Sequence, residues 1–216
     1  VLLHGMNDEV TIFATPFGRY VANEEGASVR VSSWRRIDDN AIPARGKIAG
    51  AYVNSGFVKS EALMDGYDEA IVLDQHGHVS EGSAENIFMV RNGQLLTPPV
   101  SSNILEGITR RTIMELAAAE LGIETLEREI DRTELYVCEE LFFCGTGVQV
   151  NSWRRASICC WAVVRSRKRI CTVLCSSSTC FSSICSRVKT DGLIRSRYTE
   201  KPIASNTVTN ERIVGH

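Results

Sequence analysis

The sequence has no uninterrupted apolar run of about 18 residues, the length that a transmembrane helix requires, so we expect no membrane span. The first residues, Val-Leu-Leu-His-Gly-Met, contain no basic segment followed by a long apolar one, and no signal peptide is predicted. An initiator Met is also missing, so we expect the chain to begin within a longer protein. These features together favour a cytoplasmic protein without a membrane partner.

Two nucleotide-binding motifs are missing as well. The sequence contains neither a Walker segment nor a Gly-x-Gly-x-x-Gly segment, so ATP and dinucleotides are not indicated as ligands. Cysteine is scarce before residue 150, with Cys138 and Cys144 alone, and the six others lie later. The later pairs Cys171/Cys175 and Cys180/Cys185 lack the Cys-x-x-Cys pairing of zinc sites, so no metal is expected.

The last 66 residues differ in composition from the rest. Residues 1–150 hold 12 Lys/Arg and 23 Asp/Glu, whereas residues 151–216 hold 12 Lys/Arg, 3 Asp/Glu and 11 Ser. Neither helical nor strand periodicity is evident after Asn151. We interpret residues 151–216 as an anomalous Cys/Ser/Arg-rich tail, frame-shifted or mis-spliced. A retained intron and a genuine basic tail that binds nucleic acid are the alternatives.

Segments of strand and helix periodicity alternate over residues 1–150, which predicts an α/β or mixed α+β fold. The predicted strands are 10–20, 29–33, 70–74, a segment from Val79, 86–90, 95–97, 125–130 and 141–144. Helices are predicted after Gly50, from Gly107 to Leu121, and after Asp131, where Asp131 and Glu134 have capping-box spacing.

Lys47 is the first candidate for chemistry. It lies in Ala44-Arg45-Gly46-Lys47-Ile48-Ala49-Gly50, where small neighbours allow a flat ring to approach and a desolvated amine could attack a carbonyl carbon. A lone lysine is more often a solvated surface residue. Tyr52 could hydrogen-bond a ligand, although a core position is the commoner use of such a tyrosine.

Two further segments carry polar groups among small residues. Glu81 and Glu85 precede an apolar strand, and a buried carboxylate needs a partner such as a pyridinium nitrogen. Gly107-Ile108-Thr109 begins a predicted helix and Gly145-Thr146-Gly147 follows a strand, so both could bind a phosphate. For each segment alone, a polar turn or a plain helix start is the commoner explanation.

In this order, the segments resemble the fold-type-IV pyridoxal-phosphate family, which includes the branched-chain-amino-acid transaminases. The resemblance covers about residues 1–150. It is carried by 32–36, 47–55, 61–62, 66–70, 80–88, 96–99, 107–110 and 145–147. It implies the large cofactor-binding domain of that fold, in incomplete form. Most of the family's smaller N-terminal domain is missing, and the anomalous tail replaces the family's later glycine-rich stretch and helices.

The resemblance also implies roles for individual residues, with pyridoxal 5′-phosphate as the cofactor and no metal. Lys47 is then the catalytic lysine that carries the cofactor, Tyr52 binds its phenolic oxygen, and Glu81 pairs with its ring nitrogen. Ile108, Thr109 and Thr146 contact the phosphate. Thr146 and Gly147 hold the substrate carboxylate.

The implied function is transamination between leucine, isoleucine or valine and 2-oxoglutarate, in amino-acid biosynthesis. The partners are then an amino acid and a 2-oxo acid, and the family implies a homodimer. A D-amino-acid transaminase and an aminodeoxychorismate lyase of the same fold remain alternatives. A non-catalytic fragment and an interaction protein that acts through its basic tail are alternatives of another class.

Overall fold

A computed structural model describes residues 4–5, 7, 9–16, 27–147 and 149–156 of the chain. The strands in this part are Ala27–Arg35 (β1), Glu69–Leu73 (β2), Val79–Gly82 (β3), Asn86–Arg91 (β4), Gln94–Thr97 (β5), Thr125–Glu127 (β6), Glu140–Gly145 (β7) and Gln149–Ala156 (β8). The α-helices are Tyr52–Met64 (α1) and Ile108–Leu121 (α2). Short 3₁₀ helices span Ala49–Ala51, Val100–Ser102 and Arg132–Tyr136.

These strands form one mixed sheet in the order β3-β2-β1-β8-β7-β4-β5-β6. β1 runs parallel to β2 and β8, and β5 runs parallel to β6. The remaining neighbours, β2–β3, β4–β5, β4–β7 and β7–β8, are antiparallel. β8 therefore joins the two halves of the sheet, and the predicted mixed α/β class is confirmed.

Both helices pack on the sheet through residues at helical spacing. Val58 and Ala62 of α1 contact Ala70 and Val72 of β2 in one apolar cluster. Ile113 and Ala117 of α2 belong to a second cluster with Phe88 and Phe142, whose rings stack with centroids 5.1 Å apart. Removal of these apolar side chains from water is the main force that holds the helices in place.

Both faces of β4 are buried. Successive side chains of a strand point to opposite faces of the sheet, so the residues of β4 contribute alternately to two apolar clusters. Phe88 and Val90 point into the cluster that contains α2. Ile87 and Met89 belong to a third cluster with Ile130, Leu135 and other residues of the segment before β7. α2 and this segment therefore cover opposite faces of the same strand.

Several sequence expectations differ from the structure. The strand expected over 10–20 is wrong for residues 10–16, which have no regular structure, and residues 17–20 lie outside the described part. β6 ends at Glu127 and not at Ile130. Asp131 and Glu134 do form a capping box, but the segment is a 3₁₀ helix of five residues. The chain must re-enter the sheet at Glu140, which leaves little room for an α-helix.

The expected boundary at residue 150 falls inside a strand, since β8 continues to Ala156. The predictions on the six later cysteines and on the rest of the tail concern residues outside the described part, and they stay predictions. Neither α-helix of the described residues is long and apolar enough to cross a membrane. Within the same residues, no group of three or more His, Cys, Asp and Glu side chains could hold a metal ion.

Candidate active site

One cleft brings together most of the residues singled out from the sequence. It lies where the loop before α1, the start of α1, the β3–β4 turn, the loop before α2 and the end of β7 converge. Its cavity volume of about 260 Å³ is close to the lower end, roughly 300 Å³, of small-molecule sites. The predicted residues that line it are Lys47, Tyr52, Glu81, Ile108, Thr109 and Thr146. Gly147 does not line the cleft.

Lys47 lies on the loop between β1 and α1, and its side chain is exposed. The loop is held by local hydrogen bonds, with Ala44 N donating to Asp39 Oδ1 at 2.7 Å and Gly46 N donating to Pro43 O at 3.1 Å. Tyr52 begins α1 and is 41% exposed, so it is not the core residue that its type alone suggests. The lysine and the phenol therefore share an accessible wall of the cleft.

Glu81 lies at the buried side of the cleft, with 3% of its surface exposed. Its Oε1 is 2.8 Å from Nη2 of Arg36, which is also buried. Its Oε2 accepts hydrogen bonds of 3.1 Å from Leu105 N and from Nδ2 of Asn86. A carboxylate can accept about four hydrogen bonds, so capacity remains for a further donor.

Burial has the largest effect on the pKa of Glu81. Removal from water disfavours the charged form and raises the pKa of Glu81 from 4.5 to about 7, against the opposing influence of Arg36, the Leu105 hydrogen bond and Arg110. A carboxyl with a pKa near neutrality in a cleft is typical of functional sites. Such a group can hold or release a proton at physiological pH.

The other side of the cleft is the N-terminus of α2. Gly107 is the N-cap residue, and no side chain caps the helix, so the first backbone N–H groups at Ile108 and Thr109 face the cleft without a capping acceptor. Together with the helix dipole, this end suits an anion. Thr146, at the end of β7, is exposed and adds a hydroxyl.

Asn86 connects the two sides. Its Nδ2 donates to Glu81 Oε2 and also to Leu105 O at 2.9 Å, in the loop that leads into α2. A Cβ atom at Gly107 would lie 2.1 Å from Oδ1 of Asn86, so only glycine fits beside this amide. The carboxylate and the helix N-terminus are therefore positioned by one hydrogen-bonded unit.

Sequence reasoning gave no role to several residues of the cleft. Arg36 was noted only as part of Ser32–Arg36, Asn86 only as an amide beside Glu81 and Glu85, and Ser55 and Leu105 were given no part in a site. Ser83 is buried, lines the cleft, and its Oγ has no hydrogen-bond partner among the described residues. The available signal was the density of polar residues in 80–86, which contains Ser83 and Asn86 beside Glu81.

Comparison with known proteins gives a consistent result. Residues 3–154 match the family model described as amino-transferase class IV. The chain is 53% identical over 143 residues to a probable branched-chain-amino-acid aminotransferase of Aquifex aeolicus, covering 66% of this chain and 46% of that protein. It is 44% identical over 153 residues to the branched-chain-amino-acid aminotransferase of Escherichia coli K12, covering 69% and 49%.

Solved structures agree. The branched-chain aminotransferase of Thermoproteus uzoniensis with norvaline superposes with a TM-score of 0.72 at 40% identity, covering 82% of this chain and 57% of that one. The PLP-form of the Thermobaculum terrenum enzyme gives 0.60 at 41% identity, covering 64% and 45%.

The chain spans about half the length of the curated relatives that it matches. The family model nevertheless extends over most of the chain and over the sheet as far as Arg154 in β8. The polar cleft described above lies within the same residues. The chain therefore belongs to the class IV aminotransferase family and is similar to its branched-chain-amino-acid members.

Proposed function

We propose that this chain carries the cofactor half of a transaminase site, which binds pyridoxal phosphate and transfers an amino group between a branched-chain L-amino acid and 2-oxoglutarate. The observation that carries the proposal is the cleft itself, which places Lys47, a buried carboxylate and an uncapped helix N-terminus around one cavity. A phosphorylated pyridine aldehyde needs an amine, an acceptor for its ring nitrogen and an anion site.

The residues present fit such a group. Glu81 retains an acceptor position, and α2 offers N–H groups without a capping side chain. The buried Oγ of Ser83 lacks a hydrogen-bond partner among the described residues, as expected for a hydroxyl that faces a ligand. Thr109 and Thr146 add hydroxyl donors beside the helix end.

Each residue then has a defined task. When bound, the cofactor withdraws electrons from the substrate Cα. Nζ of Lys47 would hold the cofactor in the resting site and, once the substrate amine has displaced it, would remove the Cα proton as general base. Tyr52 orients the ring through its hydroxyl, and Glu81 holds a proton on the ring nitrogen. Ile108, Thr109 and Thr146 hold the phosphate, and Thr146 with Gly147 binds the substrate carboxylate.

The test of cofactor binding uses the chain as it exists. Pyridoxal phosphate is added, the visible absorbance band is recorded, borohydride fixes the cofactor, and peptide mass spectrometry locates it. We expect the label on Lys47. Lys47→Ala removes the amine, and Lys47→Arg keeps the charge without a reactive amine, so both should lose the band. A label on another lysine would contradict the proposal.

The relatives favour branched-chain substrates, because the matched proteins are named for that activity. A panel of leucine, isoleucine, valine and D-alanine, each with 2-oxoglutarate, discriminates the alternatives. Turnover of D-alanine alone would favour a D-amino-acid transaminase, and release of pyruvate from aminodeoxychorismate would favour the lyase. An interaction protein would show no band and would bind nucleic acid in a salt-dependent way.

A homodimer is part of the same proposal. Trp34 and Phe57 stack with ring centroids 4.9 Å apart, yet they are 46% and 51% exposed, and Val53 beside them is 61% exposed. Exposed apolar clusters of this kind are typical of protein interfaces. Sedimentation velocity at several concentrations measures the assembly directly.

The cytoplasmic location predicted from the sequence stays a prediction.

A further inference from the structure

We propose that Arg36 is a positioning residue of this site, whose guanidinium orients the Glu81 carboxylate in the cleft and favours its ionised form. The interaction of Arg36 with Glu81 can be tested without a cofactor. Only its effect on bound pyridoxal phosphate rests on the proposed function. No role for Arg36 follows from its position in the sequence, where it comes directly after β1 and beside the exposed Arg35.

The guanidinium is held from several directions. Besides the 2.8 Å contact of Nη2 with Glu81, Nε donates to Asn103 O at 3.1 Å, and Nη1 lies 3.5 Å from Ser55 Oγ. Its backbone is fixed as well, because Arg36 N donates to Leu73 O at 2.8 Å and Gln75 Nε2 donates to Arg36 O at 2.9 Å. Arg36 therefore presents its charge to Glu81 in one orientation.

The carboxylate is equally fixed. Oε1 contacts Arg36, and Oε2 is taken by Leu105 N and Asn86, so rotation of the carboxyl group would break three contacts at once. Arg36 also contacts the loop that leads to α2, through Asn103. Arg36 thus connects Glu81 to the loop that leads into the N-terminus of α2.

Few other charges can replace Arg36. Arg110, on α2, acts on Glu81 from a distance, but its own Nη2 is 2.6 Å from Glu127 Oε2, so its charge is already paired. Glu85 and Cys144, which line the same cleft, carry no positive charge that could replace it. Lys47 also lines the cleft but is exposed, so solvent screens its charge. Without Arg36, burial would leave Glu81 protonated at neutral pH.

The decisive experiment needs no cofactor. In the full chain with ¹³C-labelled glutamate, the carboxyl resonance of Glu81 is assigned through Glu81→Gln and titrated in the wild type, Arg36→Lys and Arg36→Gln. We expect the Glu81 midpoint to rise by at least about one unit in Arg36→Gln, a tenfold change in the ionised fraction, and by less in Arg36→Lys. Arg45→Gln, at the exposed rim beside Glu106, is the matched control and should leave the midpoint unchanged.

Titration midpoints of Glu81 in Arg36→Gln and Arg36→Lys that agree with the wild-type midpoint within about 0.3 pH unit would overturn the proposal. If Arg36→Gln fails to fold, Arg36→Lys decides, because it retains the charge but loses the fixed fork of donors. In the loaded protein, the pH midpoint of the absorbance band should shift in Arg36→Gln and should not shift further when Glu81→Gln is added. A wild type without a band would contradict the proposed function, whereas the carboxyl titration would still decide the role of Arg36.

Discussion

Glu81 destabilises the folded chain when it is ionised, because its charge is buried and only partly compensated. The pKa of Glu81 is raised by burial from 4.5 to about 7. Its contribution to stability is therefore complete below pH 4.5 and is lost as the pH rises towards 7. A site that keeps such a residue sacrifices stability for function.

This gives a prediction for Glu81→Gln. Between pH 4.5 and 7, the free energy of unfolding of the wild type should fall relative to that of the variant by on the order of 3 kcal/mol. Urea unfolding of both proteins at several pH values measures the difference. A difference that stays constant over this range would mean that Glu81 titrates normally. The absolute stability of the variant is not diagnostic, since Arg36 loses its charged partner.

The pKa of a second carboxylate, that of Glu134, is shifted in the opposite direction. Two hydrogen bonds from Arg128, at 2.7 and 2.8 Å, and further contacts with Asp131 N and Arg91 lower the pKa of Glu134 from 4.5 to about 2. Its stabilisation is present above pH 4.5 and is lost as the pH falls through about 2.

Glu134→Gln should therefore lower the free energy of unfolding at pH 7 by on the order of 1 kcal/mol, since Arg128 is partly exposed. The same substitution should have a smaller effect near pH 2, where about half of the wild-type carboxyl groups are protonated. Thermal or urea unfolding at the two pH values checks this. Glu124→Gln, at an exposed glutamate of the same region, is the control.

Single residues were predictable here only where a motif surrounded them. Lys47, Tyr52 and Glu81 were singled out because their neighbours resemble a known pattern, and they line one cleft, whereas their individual roles stay predictions. Arg36 could not, because its partner Glu81 lies far along the chain and the contact exists only once β1 and β3 share a sheet. The raised pKa of Glu81 depends on the same burial, which no local spacing reveals.

At the scale of elements, the start of α2 depends on one glycine. Gly107→Ala would place Cβ against Oδ1 of Asn86, within 2.1 Å, and disturb the hydrogen bonds of Asn86 with Glu81 and Leu105. We expect weaker binding of pyridoxal phosphate, measured by titration of the absorbance band, together with reduced stability.

Gly56→Ala is the matched control. Gly56 lies inside α1, and a Cβ there would meet no atom within 4 Å. Alanine at an exposed helix position should stabilise the chain by about 0.5–1 kcal/mol and leave cofactor binding unchanged. Equal losses of binding in both variants would contradict the special role of the α2 start.

The ends of helices and strands were predictable where glycine or asparagine residues that favour turns are present. Gly122 ends α2 with φ of 65°, and Asn92-Gly93 forms the β4–β5 turn with φ of 52° and 72°, as the sequence indicated. The capping box predicted the start of the helix at Arg132–Tyr136 but not its 3₁₀ type or its length. Its end is set by the position of β7, which is a property of the sheet.

At the scale of the whole molecule, β8 decides whether there is one sheet or two. It pairs in parallel with β1 and antiparallel with β7, and β1 and β7 are not neighbours without it. A chain that stops after residue 147 should therefore lose cooperative unfolding, whereas one that stops after residue 156 keeps all the strand pairings described above.

Circular dichroism during urea titration compares the two truncated chains. A cooperative transition of unchanged midpoint in the shorter chain would show that β8 is dispensable. This strand was not predicted, because the composition changes at the point where it begins and hides its periodicity. The pairing of β8 with two distant strands, and not its own sequence pattern, is what defines it as part of the fold.

The position of β8 also has a consequence for synthesis. β1 leaves the ribosome well before its partner β8, which is made more than a hundred residues later. Until then, one edge of β1 carries unpaired backbone groups, which invite association with other nascent chains. Slow translation between β1 and Ala156 should therefore prolong the exposure of this edge and favour aggregation over folding.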